Sequence, residues 1–183
     1  MTQVFFGGSR RIGRLSQALK KRADNILSNG YFILLGDANG ADKAMQQYLA
    51  EKNYRNVMVF CMGDMCRNNI GNWKTRCIHS DRRNKDFNYY STKDLIMSNE
   101  ADYGFMLWDG KSKGTLNNIL SLCEHNKKVL VYFSPTKSFH TLKNLDDLSD
   151  FLKPCDQESL RKFDKALGIS TRIQSRQHQF NFS

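Results

Sequence analysis

Three times along this chain a short apolar run ends in a glycine-bearing loop that opens onto a segment of helical periodicity, and no other feature limits the fold so strongly. Tyr103 to Trp108 is long enough for a buried strand and too short for a helix. It stops at Asp109-Gly110-Lys111-Ser112-Lys113-Gly114. Thr115 then takes the place of a helix N-cap, ahead of Leu116, Ile119, Leu120 and Cys123 on one face. Gln3 to Phe6 runs into Gly7-Gly8-Ser9-Arg10-Arg11, followed by a helix with Leu15, Ala18, Leu19, Ile26 and Leu27 on its buried side. Tyr31 to Leu35 runs into Gly36-Asp37-Ala38-Asn39-Gly40-Ala41-Asp42 and a helix buried through Ala41, Ala44, Met45, Tyr48 and Leu49. With Val57 to Cys61 as a further strand and Lys128 to Phe133 as the last, the alternation implies an α/β fold. Its mainly parallel sheet has about five strands and right-handed crossovers.

The remaining segments set the organisation. Residues 62–92 break the alternation: they are polar and basic with interspersed aromatics, and read as an insertion without regular structure, of the kind that is usually functional. A helix from about Ser91 to Asn99 leads into the central strand. Leu145, Leu148, Phe151 and Leu152 fit an amphipathic helix, and a last helix is expected over Gln157 to Leu167. Ile169 to Ser183, ending in Phe180-Asn181-Phe182, reads as a loose or partner-docked tail. The expected division is a domain over 1–153 carrying the insertion, and a C-terminal helix and tail over 154–183, in a chain of 183 residues.

No apolar run approaches the roughly 20 residues of a membrane span, so no membrane partner is expected. The N-terminus MTQVFFGGSRR lacks the layout of a signal peptide. Five scattered cysteines, an odd number lying mostly in apolar segments, fit a cytoplasmic chain with reduced thiols. The net charge of +10, concentrated in 10–22, 67–85 and the end of the chain, suits a phosphate-bearing partner, either a nucleotide or a nucleic acid.

In a parallel sheet, loops that follow the strands' carboxyl ends gather on one edge, and ligands bind there at the topological switch. Three glycine loops therefore converge, presenting backbone N–H groups and helix N-termini to phosphate. The common nucleotide signatures are absent. Gly110-Lys111-Ser112 resembles the end of a P-loop, but Phe105 stands where its first glycine belongs, and GGSRRIG does not match G-x-G-x-x-G.

Taken together, Gly7-Gly8-Ser9-Arg10, Gly36-Asp37-Ala38-Asn39-Gly40-Ala41-Asp42 and Trp108-Asp109-Gly110-Lys111-Ser112-Lys113-Gly114-Thr115 resemble the SLOG superfamily of DprA-like, YpsA-like and LOG proteins. The WDGxSxGT form is most similar to its YpsA-like branch. The resemblance spans about residues 3–133 and implies a Rossmann-like three-layer sandwich holding a nucleotide or nucleotide-sugar. Members act as N-glycosidic phosphoribohydrolases or as nucleotide sensors, some of them in conflict with phages. The chain departs from the LOG enzymes at their catalytic pair. Where they carry PGGxGTxxE this sequence has GKSKGTLNN, with Asn117 and Asn118 and no acid, and their arginine falls near Lys93.

Glycosidic cleavage needs a carboxylate near the anomeric carbon. Asp94 and Asp109 are the candidates, with Glu100 further back, and Lys93 beside them. Asp94 is otherwise a helix-surface charge, Asp109 a loop cap, and Asp42 a helix cap. The three loops with Ser9, Lys113 and Thr115 are expected to take phosphate. In the insertion, Arg67, Asn69, Arg76 and Arg82 are expected to clamp phosphates and Trp73 or Tyr90 to stack on a base, unless Trp73 and Phe87 only anchor the segment to the core. Cys61, Cys66, Cys77 and His79 form C-x4-C-x10-C-x-H, which lacks a tight C-x2-C pair and places Cys61 in a strand, so no metal is assigned. No cofactor is expected. His125, His140 and His178 read as lone surface residues.

The leading expectation is a nucleotide-binding pocket that either cleaves its ligand or serves as a sensor, with a homo-oligomer as an open arrangement. The rival is a single-stranded nucleic-acid-binding module similar to DprA, using the basic charge and the aromatic insertion.

Overall fold

The computed structural model describes residues 1–82 and 84–180, with side chains described through residue 175. Phe180 is the last described position, so the Asn181-Phe182 end of the expected tail and Arg83 of the insertion lie outside the described residues.

Seven strands form one sheet in the order β4-β3-β2-β1-β5-β6-β7. They are β1 (Gln3–Gly8), β2 (Phe32–Gly36), β3 (Val57–Met62), β4 (Lys74–Ile78), β5 (Tyr103–Trp108), β6 (Lys128–Phe133) and β7 (Ser138–Leu142). All neighbours pair in parallel except β6 and β7. The helices are α1 (Gln17–Ser28), α2 (Ala41–Glu51), α3 (Phe87–Glu100), α4 (Lys113–Glu124), α5 (Leu145–Leu152), α6 (Gln157–Leu167) and α7 (Ile169–Phe180). None is long and apolar enough to cross a membrane, among the described residues.

Alternation along the strands divides the core. Val4 and Phe6 of β1, with Ile33, Leu35, Val57 and Val59, pack beneath α1 and α2. Phe5, Leu34, Phe60, Met106 and Trp108 face the opposite layer of α3 to α7. Both faces of the central parallel strands β1, β2, β3 and β5 are thus covered, as such a sheet requires, and the fold is a Rossmann-like three-layer α/β sandwich.

Two strands exceed the expected five. β4 lies inside the segment read as irregular: Lys74, Thr75 and Arg76 are exposed, so this edge strand has no apolar run to betray it. β7 is the other, an antiparallel strand joined to β6 by a turn in which Lys137 takes φ +53°. α3 begins at Phe87 rather than near Ser91, because the Asp86 carboxylate accepts the Tyr89 N–H at 3.0 Å and caps it. α4 begins at Lys113, capped by Ser112 and not by Thr115: Ser112 Oγ accepts the Thr115 N–H at 3.3 Å. The expected loose tail is helical through Phe180, and Arg172 forks onto Glu124 of α4.

Candidate functional site

The strand order reverses between β1 and β5, whose connections leave in opposite directions along the sheet. At the carboxyl ends of these strands lies a cleft of about 520 Å³, and all three glycine loops reach it. Gly7, Gly8 and Arg10 come from the first, Gly36, Ala38 and Asp42 from the second, and Asp109, Ser112, Gly114 and Thr115 from the third. Tyr90, Lys93 and Asp94 enter from α3, and Arg67 from the segment after β3.

The first and third loops are keyed together by one hydroxyl. Buried Ser9 Oγ donates to Asp109 Oδ1 at 2.9 Å and accepts the Asp109 N–H at 3.1 Å. Asp109 Oδ1 also accepts the N–H groups of Lys111 and Ser112 at 3.0 and 2.8 Å. Asp109 therefore organises the turn into α4, as an Asx turn does. The second loop is seated by Gly40, which takes φ +84°; a Cβ there would lie 2.3 Å from the Arg10 carbonyl oxygen.

Beneath the second loop a group of charges is buried. Lys93 is only 5% exposed, and its Nζ donates to Asp94 Oδ1 at 2.6 Å. Burial pushes the Lys93 ammonium down, but the carboxylates of Asp94, Asp42 and Asp37 outweigh it and leave its pKa above the ordinary lysine value. Asp42 is not a helix cap: the cap position is Gly40, and Asp42 Oδ2 instead accepts the Ala38 N–H at 3.3 Å. Burial pushes Asp42 up to about 7, against the pull of Lys93. Gly36 makes room for this group, since a Cβ on it would lie 2.3 Å from Asp42 Oδ2 and 3.3 Å from Lys93 Nζ. Asn118 Nδ2 of α4 donates to Asp94 Oδ2 at 3.5 Å.

Arg67 does less clamping than the sequence implied. Its guanidinium forks onto the buried Asp37 carboxylate, at 2.9 Å from Nε and 2.6 Å from Nη2, and its backbone N–H adds a third bond at 3.0 Å. Burial raises the Asp37 pKa, but these bonds more than reverse it and hold the carboxyl below its usual range. Arg67 and Arg10 both lie over the Tyr90 ring, at 5.0 and 5.8 Å from its centroid.

Several expected ligand residues serve structure elsewhere. Trp73 is buried in the core with its Nε1–H on the Tyr54 carbonyl at 2.7 Å, so it anchors the segment and is not a stacking platform. Asn69 closes the same turn through two bonds to the Trp73 backbone. Arg76 leaves the edge strand to pair with Glu100 at 2.5 Å, and exposed Arg82 is also away from the cleft. Trp108 is fully buried, bonded to the Ser112 carbonyl at 3.1 Å. Ser9, Asp37, Gly40 and Gly110 shape the loops from behind, and Lys113 lies over the Phe87 ring at 3.8 Å. His125 bonds the Ser121 carbonyl, half-buried His140 bonds Ser138 Oγ, and the His178 side chain lies outside the described residues.

The sequence reasoning passed over Arg11, Lys85, Phe87, Ser91, Lys111 and Asn118, all at the cleft. The start of α3 at Phe87 explains two of them, Phe87 and Ser91: from the Asp86 cap on, its first turns face the glycine loops. Away from the cleft, Cys61, Cys66 and Cys77 place their sulfurs within 4.8 Å of one another. Spacing in sequence weighed against such a group, but the β3–β4 pairing sets Cys61 directly opposite Cys77. Burial pushes the Cys61 and Cys66 thiols up.

Comparison with protein-family models, with curated proteins and with solved structures finds no match.

Proposed function

We propose that this chain binds a nucleotide or nucleotide-sugar in the cleft between β1 and β5, as a SLOG-like protein of the cytoplasm, and hydrolyses its N-glycosidic bond. The observation that carries the proposal is the convergence of three glycine loops at one topological switch, beside Arg10, Arg11, Lys85 and Lys111. Phosphate is held by the loop N–H groups and these cations, and the base lies against Tyr90. Five cysteines with no disulfide among them fit the reducing compartment.

In the reaction, water adds to the anomeric carbon as the C–N bond breaks, and the base leaves with a proton. Asp94 stabilises the cationic sugar or orients the water, held in place by Lys93 and Asn118. Asp42, pushed up to about 7, is able to hold or release a proton near neutrality.

The test is a panel of nucleoside mono-, di- and triphosphates, NAD and cyclic dinucleotides, with melting shift and free-base release read together. A shift with release, the release lost in Asp94→Asn while the shift remains, supports the proposal. A shift without release makes the protein a sensor or carrier. Binding only to an oligonucleotide, with steep salt dependence over many phosphates, replaces the pocket with the basic surface.

A further inference from the structure

We propose that Cys61, Cys66 and Cys77 form a thiolate site for a zinc ion, outside the ligand cleft. The three sulfurs lie within 4.8 Å of one another, and Cys61 Sγ and Cys77 Sγ are 3.0 Å apart. Zinc–sulfur bonds of about 2.3 Å in a tetrahedron put sulfurs about 3.8 Å apart, within the span these side chains already occupy. Two elements supply the site independently. Cys61 and Cys77 face each other in register on the parallel strands β3 and β4, and Cys66 comes back over them from the intervening loop. A disulfide would join two of these sulfurs and leave the third without a role; a tetrahedral ion uses all three.

The surroundings suit loading. Cys61 is fully buried, while Cys66 and Cys77 are half-exposed and give the ion a path from solvent. As each Zn–S bond forms, the thiol gives its proton to solvent. Three sulfurs leave one corner of the tetrahedron. Water fills that corner, on the side where Cys66 and Cys77 meet solvent.

The site has a place in the architecture. Cys66 immediately precedes Arg67, whose fork holds Asp37 behind the second glycine loop. A bound ion therefore fastens the loop that carries Arg67 to the sheet edge. β4 is otherwise held there by its ladder with β3 and by the Arg76–Glu100 pair.

The experiment uses the full chain purified under reductant. Zinc content is measured, Co(II) is titrated into chelator-treated protein, and affinity is read by competition with a chromophoric chelator. The expected result is one zinc per chain, a thiolate-to-Co(II) charge-transfer band, and a melting temperature lowered by chelation. Cys66→Ser, in the half-exposed loop where folding is least at stake, removes a direct ligand and weakens affinity by at least as much as loss of an outer-shell partner, roughly 100-fold, whereas Cys155→Ser leaves it unchanged. The proposal fails if Co(II) gives no thiolate band, or if Cys66→Ser and Cys77→Ser bind zinc like the parent. It also fails if zinc-treated protein still forms a Cys61–Cys77 disulfide as readily as untreated protein, which would make the pair a redox couple.

Discussion

Lys93 donates a 2.6 Å hydrogen bond to Asp94, the residue that follows it on the same helix. Successive helical side chains project about 100° apart, so the long lysine arm must span that angle to reach its neighbour, and Asp42 attracts the same ammonium.

That cation is the counter-charge of a buried acidic group. Lys93→Met should lower stability by about 3 kcal/mol, since it leaves Asp42 and Asp94 without it. Urea denaturation at neutral pH measures the loss. A loss within ~0.5 kcal/mol would mean that the carboxylates are solvated and the ion pair idle.

Asp42 gives the protein a pH dependence of unusual sign for an acid. Its folded pKa, about 7, lies above the 3.8 of an unperturbed aspartate. The stability it contributes is fully present below pH 3.8 and is lost as pH rises to about 7, because only the folded state keeps the proton in that window. Asp42→Asn stays neutral throughout, so it should gain on the parent across the window by up to roughly 4 kcal/mol. Denaturation curves at a series of pH values test this, and parallel curves for the two proteins would refute it.

The Arg67 fork makes a sharper demand than charge alone. Arg67→Ala strands the buried Asp37 and should cost roughly 2–4 kcal/mol. Arg67→Lys keeps the charge but not the two parallel bonds, and should recover less than half. Equal stability of the lysine and parent proteins in urea would show that geometry is irrelevant there.

Gly40→Ala should be among the most damaging single-methyl changes in the molecule. Gly40 combines φ +84° with the Arg10 backbone 2.3 Å from the new carbon, so neither rotation nor a side-chain shift relieves it. A loss above ~2 kcal/mol is expected. Gly114→Ala, which meets nothing within 4 Å, is the control and should change stability by under ~0.5 kcal/mol.

The parts of this fold that were legible in the sequence are those whose burial is continuous. β5 and β6 are apolar runs covered on both faces, and they begin and end where the sequence placed them. β4 was not legible because an edge strand needs a partner on one side only, and its first three residues face water. The glycine loops announced the cleft, since close backbone approach leaves a compositional trace. Trp73, Asn69 and Arg76 carried no such trace. Their partners are a carbonyl at Tyr54, a turn and Glu100, and an interleaved pattern of cations and aromatics looks the same whether it faces a ligand or the core. Thr115 has the chemistry of a cap but sits three residues inside the helix, because Ser112 intercepts its N–H first.

The Ser9 hydroxyl joins residues 100 positions apart, and this sets a timetable for the nascent chain. The first two glycine loops emerge early in synthesis, yet the floor of the cleft is incomplete until β5 has been made and has docked beside β1. No ligand is able to act as a template for the early half of the molecule. Any stabilisation it gives reaches only a chain that has already brought its distant segments together, and such long-range closure is the slow kind of folding event.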